Sequence, residues 1–187
     1  MPVQTLISSA GLVLLMELGD KTMLTTICLS AQYRRPGLVL LVTMVALATS
    51  SVIAVIIGYI LSATLPIEII TYVSGILFIV LGIYTLATSN SDIPDTCDNP
   101  GTMFGMFSLV LMSELGDKSQ ITILALAAQT PFAIMVFIGS IFGFLIVNTL
   151  GALAGDRIAT RIPLKIVKKV VGLIFILFGG LIVMGIL

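Results

Sequence analysis

Glu17-Leu18-Gly19-Asp20-Lys21 recurs residue for residue as Glu114-Leu115-Gly116-Asp117-Lys118. Each copy lies inside a long apolar run, where charged side chains are out of place. A shift of 97 residues superposes the copies without a gap. It also places Thr22 on Ser119, Thr25 on Thr122, and Ala31-Gln32 on Ala128-Gln129. Gly58 falls on Gly155, Pro66 on Pro163, Gly75 on Gly172 and Gly82 on Gly179. Chance can match a glycine or two among 17, but not five consecutive residues and four further registered breakers. The chain is a duplicated unit.

The composition around the motifs names the solvent. Of 187 residues, 58% are hydrophobic and only 10% charged, with a mean hydropathy of +1.22. A soluble domain carries about 25% charge, so this chain lacks the surface to face water and is expected in a bilayer. Net charge is zero and no basic tract occurs, which excludes nucleic acid as a partner. Cys28 and Cys97 are too few for a disulfide framework or a thiolate metal site. The opening Met-Pro-Val-Gln-Thr lacks the positive region of a secretory signal, and its apolar run is too long for one. A retained first helix is expected there.

Runs of about 20 apolar residues span a bilayer as helices, because lipid offers unpaired backbone groups no partner. Six such runs are expected, at about 5–31, 37–62, 67–88, 103–129, 131–155 and 164–186. They are separated by Tyr33 to Gly37, Thr64 to Pro66, Thr88 to Gly101, Gln129 to Pro131, and Gly155 to Pro163. The fold class that follows is an all-α integral membrane protein of six transmembrane helices, built as two inverted three-helix repeats. Three is odd, so the second unit enters from the opposite side. The first repeat covers 1–88 and the second 102–187. Between them, 89–101 form an acidic cytoplasmic linker with Asp92, Asp95 and Asp98.

Orientation follows from the short loops. The first, third and fifth, with the adjoining helix end, hold Arg34, Arg35, Arg157, Arg161, Lys165, Lys168 and Lys169, and the other side holds no lysine or arginine. Those loops are expected in the cytoplasm and both termini outside.

Glu17 and Glu114 fall near the middle of their runs, where an ionised carboxylate costs several kcal/mol unless paired or facing water. In an unbroken helix Glu17 and Asp20 share a face, as do Glu114 and Asp117. Two crossing helices would then bring four carboxylates to one point, a site suited to hard divalent cations such as calcium and manganese. The chain has no histidine, which argues against zinc or copper. Gly19 and Gly116 would let the backbones approach closely or let the helix open to expose carbonyls. Four carboxylates with Lys21 and Lys118 leave a balance of −2, which one divalent cation or two protons neutralise. Desolvation favours the neutral acid, so cation and protons are expected to compete.

Plainer readings stand beside this one. Glu17 and Lys21, four apart, can form a structural intrahelical ion pair, although two copies with an added aspartate each count against it. Thr22, Ser119, Thr25 and Thr122 can supply hydroxyl ligands or bond their own helix backbone. Gln32 lies about 60° around a helix from Glu17. Gln32 and Gln129 either line the two mouths or lie at the interface. Asn148 and its counterpart Ser51 are expected to make interhelical hydrogen bonds. Glu68 and the linker aspartates are expected to be solvated.

With these residues in hand, the chain resembles the small cation/proton exchangers defined by two copies of E-x-G-D-[KR]-[TS]. That family includes the Golgi transmembrane protein 165 group and bacterial manganese exporters. The copies here read Glu17 to Thr22 and Glu114 to Ser119, and the resemblance covers nearly the whole chain. It implies exchange of manganese or calcium for protons, with Glu17, Asp20, Glu114 and Asp117 as ligands and no cofactor beyond the transported ions. The lysines and hydroxyls carry over as supporting groups. The compact length resembles prokaryotic members, in the cytoplasmic membrane.

A divalent cation/proton antiporter with alternating access is therefore expected, exporting from the cytoplasm. It is not an enzyme, and a homo-oligomer is compatible with it. A passive cation channel would use the same acidic lining. An intramembrane aspartyl protease would use Asp20 and Asp117, but the adjacent lysines and glutamates suit cation binding better than a shared-proton dyad. An amino-acid exporter leaves the −2 balance unexplained.

Overall fold

The computed structural model describes residues 1–87, 100–154 and 164–185, and among these every regular element is a helix. The helices are α1 (Pro2–Glu17), α2 (Lys21–Tyr33), α3 (Pro36–Thr64), α4 (Ile67–Ala87), α5 (Met103–Glu114), α6 (Lys118–Gln129), α7 (Ala133–Ala154) and α8 (Leu164–Val183). The linker aspartates, the Gly155 and Pro163 register points, Arg157 and Arg161 lie outside the described residues, as do the side chains of Lys165 and Lys168.

The all-α class holds, but six unbroken helices do not. The first and fourth apolar runs are each divided at the duplicated motif, giving α1–α2 and α5–α6. Among the described residues, α3, α4 and α7 are long and apolar enough by themselves to cross a membrane. The punctuation elsewhere is as expected. Pro36 opens α3, where its missing N–H costs nothing. Leu65, preceding Pro66, leaves the helix for extended backbone. Thr102 caps α5, its hydroxyl accepting from the Gly105 N–H at 3.0 Å.

Packing is tight where side chains are small. Gly75 and Gly82 of α4 face Gly179 and Gly172 of α8, so these helices run antiparallel. A Cβ at Gly82 would lie 2.6 Å from the Gly172 carbonyl, and one at Gly179 equally close to that of Gly75. α1 lies along α7, where a Cβ at Gly143 would meet the Ala10 carbonyl at 2.8 Å. α3 packs on α5, α6 and α7 around Val13, Leu47, Ala54, Ile123, Ala127 and Phe144. Phe78 stacks on Phe175 at 5.6 Å. Outward-facing Ile56, Ile60, Val80, Ile146 and Leu177 are exposed, as suits contact with acyl chains.

Two ends of the bundle can be told apart. At one, the start of α1 and the end of α6 meet the start of α7 and the end of α8 around a shared cavity. At the other, Leu29 and Tyr33 of α2 pack with Val39 of α3 and Met106 of α5. The pair α1–α2 therefore traverses the bundle in one direction and α5–α6 in the other, and their breaks meet between the ends.

Candidate cation site

Each motif breaks its helix in the same way. α1 ends at Glu17, Leu18 is extended, Gly19 takes φ +76°, and Asp20 at the N-cap precedes Lys21, the first residue of α2. In the second copy α5 ends at Glu114, Leu115 is extended, Gly116 takes φ +82°, and Asp117 caps α6. Left-handed backbone costs other residues roughly 1–2 kcal/mol and glycine nothing. A Cβ at Gly116 would meet nothing within 4 Å, so conformation, not close approach, requires glycine there. Of the two roles expected for these glycines, opening the helix is the one realised at Gly116.

The break overturns the picture of Glu17 and Asp20 sharing a helical face, because they belong to different half-helices. The glutamates end α1 and α5, while the aspartates begin α2 and α6. Half-helix N-termini then point inward with their partial positive charge. The rotation relating Gln32 to Glu17 fails for the same reason. Gln32 is exposed near the end of α2.

Glu17, Glu114 and Asp117 nevertheless converge, each offering an oxygen within 4.8 Å of the others. Glu17 is 0% exposed and Glu114 2%. At this spacing each pair of ionised carboxylates repels by roughly 3–4 kcal/mol at an effective dielectric of about 20. Asp20 stands outside the trio. It accepts from Lys118 Nζ at 3.3 Å, joining the two motifs.

The glutamates are served unequally. Glu114 Oε1 accepts from the Thr22 hydroxyl, and Oε2 accepts from the Ser119 hydroxyl at 3.0 Å. Neither oxygen of Glu17 has a hydrogen-bond partner, and the Thr122 hydroxyl, also buried, has none. A buried anion left unpaired is strongly destabilising, so an ionised Glu17 needs a counter-charge, and a protonated one does not.

Lys21 is exposed, and the Glu17–Lys21 pair of the plainer reading is not formed. Among the described residues the ion pair found is Lys118–Asp20. Thr25 is half-buried on α2. Gln129 donates to its own helix at Ala125 O, 3.1 Å away, and lines a cavity of about 170 Å³ with Gln4, Ser8, Ser9 and Thr130. A smaller space of about 20 Å³, room for about one water, lies beside Asp20 and Lys118 toward Thr85, Val171 and Phe175.

Asn148 makes the expected interhelical bond, accepting from Thr26 at 2.9 Å. Ser51 does not, because its hydroxyl turns back to Leu47 O of α3 at 2.8 Å. Thr26 was not singled out by its sequence. Its signal is its position one turn after Thr22, whose carbonyl it also bonds at 2.8 Å.

The family model for the divalent cation/proton antiporter GDT1 matches residues 5–93 and 102–186. A Synechocystis protein named GDT1-like protein sll0615 is 31% identical over 195 residues, 91% of this chain and 93% of its own. A Vibrio cholerae protein named "Putative manganese exporter" is 29% identical over 168 residues, covering 89% of this chain and 84% of its own. The Saccharomyces cerevisiae protein named divalent cation/proton antiporter GDT1 is 23% identical over 233 residues, covering 95% and 82%. No solved structure matches. The chain belongs to the GDT1 family of divalent cation/proton antiporters, and it is a transporter, not an enzyme.

Proposed function

We propose that this family member exports manganese, calcium or both from the cytoplasm in exchange for protons, at a site formed by Glu17, Asp20, Glu114 and Asp117. The unpartnered, fully buried Glu17 carboxylate beside Glu114 and Asp117 carries the reading. Carboxylate and hydroxyl oxygens suit hard divalent ions. Thr22, Ser119 and Thr122 offer neutral oxygens, with Thr25 one step removed. Lys21 and Lys118 balance charge, and Gln129 lines one mouth with Gln32 at the other. Protons replacing the cation on the same acids couple the two fluxes, with no cofactor needed. The Vibrio relative's name supports manganese.

Six spans arranged as inverted repeats are part of the proposal, with 1–88 and 102–187 as repeats and 89–101 as a cytoplasmic linker. The antiparallel α4–α8 contact supports it. The register equates Gly75 with Gly172 and Gly82 with Gly179, and a two-fold axis relating the repeats would carry the Gly75–Gly179 contact onto Gly172–Gly82, both of which are made. The charge bias of the loops supports both termini lying outside a prokaryotic cytoplasmic membrane.

A passive channel is less well supported, since the 170 Å³ cavity is lined by none of the four acids. The protease reading loses its dyad, because Asp20 is held by Lys118. Manganese binding to purified protein, read by electron paramagnetic resonance, tests the site. Saturable binding that Glu17→Gln abolishes and Glu68→Gln leaves intact supports it. Binding equal in both variants removes Glu17 from the site.

A further inference from the structure

The two motifs have identical sequences and nearly identical backbones, yet their side chains are partnered differently. The 97-residue register converts Lys118–Asp20 into Lys21–Asp117, Thr22–Glu114 into Ser119–Glu17, and Ser119–Glu114 into Thr22–Glu17. The first contact of each pair is made. The second is not: Lys21 is exposed, and Glu17 accepts from neither hydroxyl. The glycine φ angles are close, +76° and +82°, while the Gly116 N–H donates to Gln120 Oε1 at 2.6 Å and the Gly19 N–H to Met23 Sδ at 3.3 Å, so the breaks match in backbone and differ in side-chain partners.

An inverted-repeat transporter has two end states in which the repeats exchange roles. We propose that the observed contacts are one setting of an exchange between motifs. In the oppositely facing state Lys21 pairs with Asp117, and the Thr22 and Ser119 hydroxyls turn from Glu114 to Glu17. Ser119 donates to Glu114, whose carboxylate offers an oxygen within 4.8 Å of one on Glu17, so the change of acceptor is short. Lys21, the first residue of α2 next to Asp20, carries its ammonium on a flexible four-carbon stem. Lys118 holds Asp20 at the small space toward Thr85 and Val171, the end away from the 170 Å³ cavity. The lysines are thus positioning residues that select the facing of the site, not ligands. The inference rests on alternating access at this site, as proposed above.

Hydrogen exchange of the full protein in lipid nanodiscs, read by mass spectrometry, tests it with Lys118→Gln and Lys21→Gln. Removing Lys118 weakens the observed setting, and removing Lys21 weakens its opposite. Amide exchange around Gln4–Ala10 and Gln129–Val136 should therefore shift in opposite directions in the two variants, by several-fold. The region around Leu29–Val39 and Thr85 should shift reciprocally, and Lys118→Arg should keep the native pattern. Same-sign shifts, or none, overturn the inference. If a glutamine variant does not fold, Asp20→Asn and Asp117→Asn remove the same two pairs and must show the same opposition. Manganese binding measured in parallel separates the outcomes: binding without reciprocity rejects the exchange alone, while loss of specific binding in the native protein rejects the site.

Discussion

The Thr22 hydroxyl on α2 donates to the Glu114 carboxylate at the end of α5, across 92 residues of sequence. The contact joins the half-helix of one motif to the glutamate of the other. A hydrogen bond to a charged group contributes about 1.5–3 kcal/mol. Thr22→Val is therefore expected to weaken manganese affinity by roughly 10- to 100-fold, and Thr22→Ser to retain most of it. Calorimetric titration of the two variants checks this; equal loss in both would assign the effect to packing.

Glu17→Gln removes a carboxylate from a crowded trio and leaves a neutral side chain of the same shape. Thermal stability is expected to be unchanged or higher by roughly 1–3 kcal/mol, since mutual repulsion falls, while cation flux is lost. A thermal melt beside a flux assay reads both. A destabilised protein with retained flux would make Glu17 structural.

The two kinds of glycine should behave differently. Gly116→Ala forces a side chain into φ +82° with open space around it, costing roughly 1–2 kcal/mol and impairing cation binding through the displaced Asp117. Gly116→Asn should be milder, since asparagine tolerates this backbone. Gly82→Ala instead drives a Cβ against the Gly172 carbonyl at 2.6 Å, pushing α4 from α8. Its overpacking cost of about 1–3 kcal/mol should appear in stability more than in cation affinity. Melting temperatures and affinities of the three variants separate the effects.

If protons and cation share the carboxylates, cation binding must release protons. Apparent manganese affinity then falls as pH falls, by up to about 10-fold per pH unit for each proton displaced. Titration in buffers of different ionisation enthalpy counts those protons. Affinity flat between pH 5 and 8 would mean the acids bind cation without exchanging protons.

Much of this was legible in the sequence. The register of 97 residues, the buried carboxylates of Glu17 and Glu114, and the registered glycines of α4 and α8 all follow from hydropathy and repetition. The helix break at Leu18-Gly19-Asp20 was only half legible. Apolar residues continue on both sides, and one glycine inside an apolar run fits a continuous helix as well as a broken one. The break is held partly by local contacts, such as the Gly116 N–H donating to Gln120 Oε1 at 2.6 Å, and partly by cross-motif contacts that lie outside any local window. The pairing of Lys118 with Asp20, and not of Lys21 with Asp117, was not legible at all. The five identical residues carry no information about which half is engaged; the copies differ only beyond them, at Thr22-Met23 against Ser119-Gln120.

Sealed vesicles containing the purified protein, with manganese or calcium outside and a pH reporter inside, measure the exchange directly. Cation entry should move protons outward, follow the sign of an imposed pH gradient, and vanish in Glu17→Gln and Asp117→Asn. Cation flux that proceeds at the same rate whatever the gradient, with no change in internal pH, would contradict proton-coupled exchange at these carboxylates.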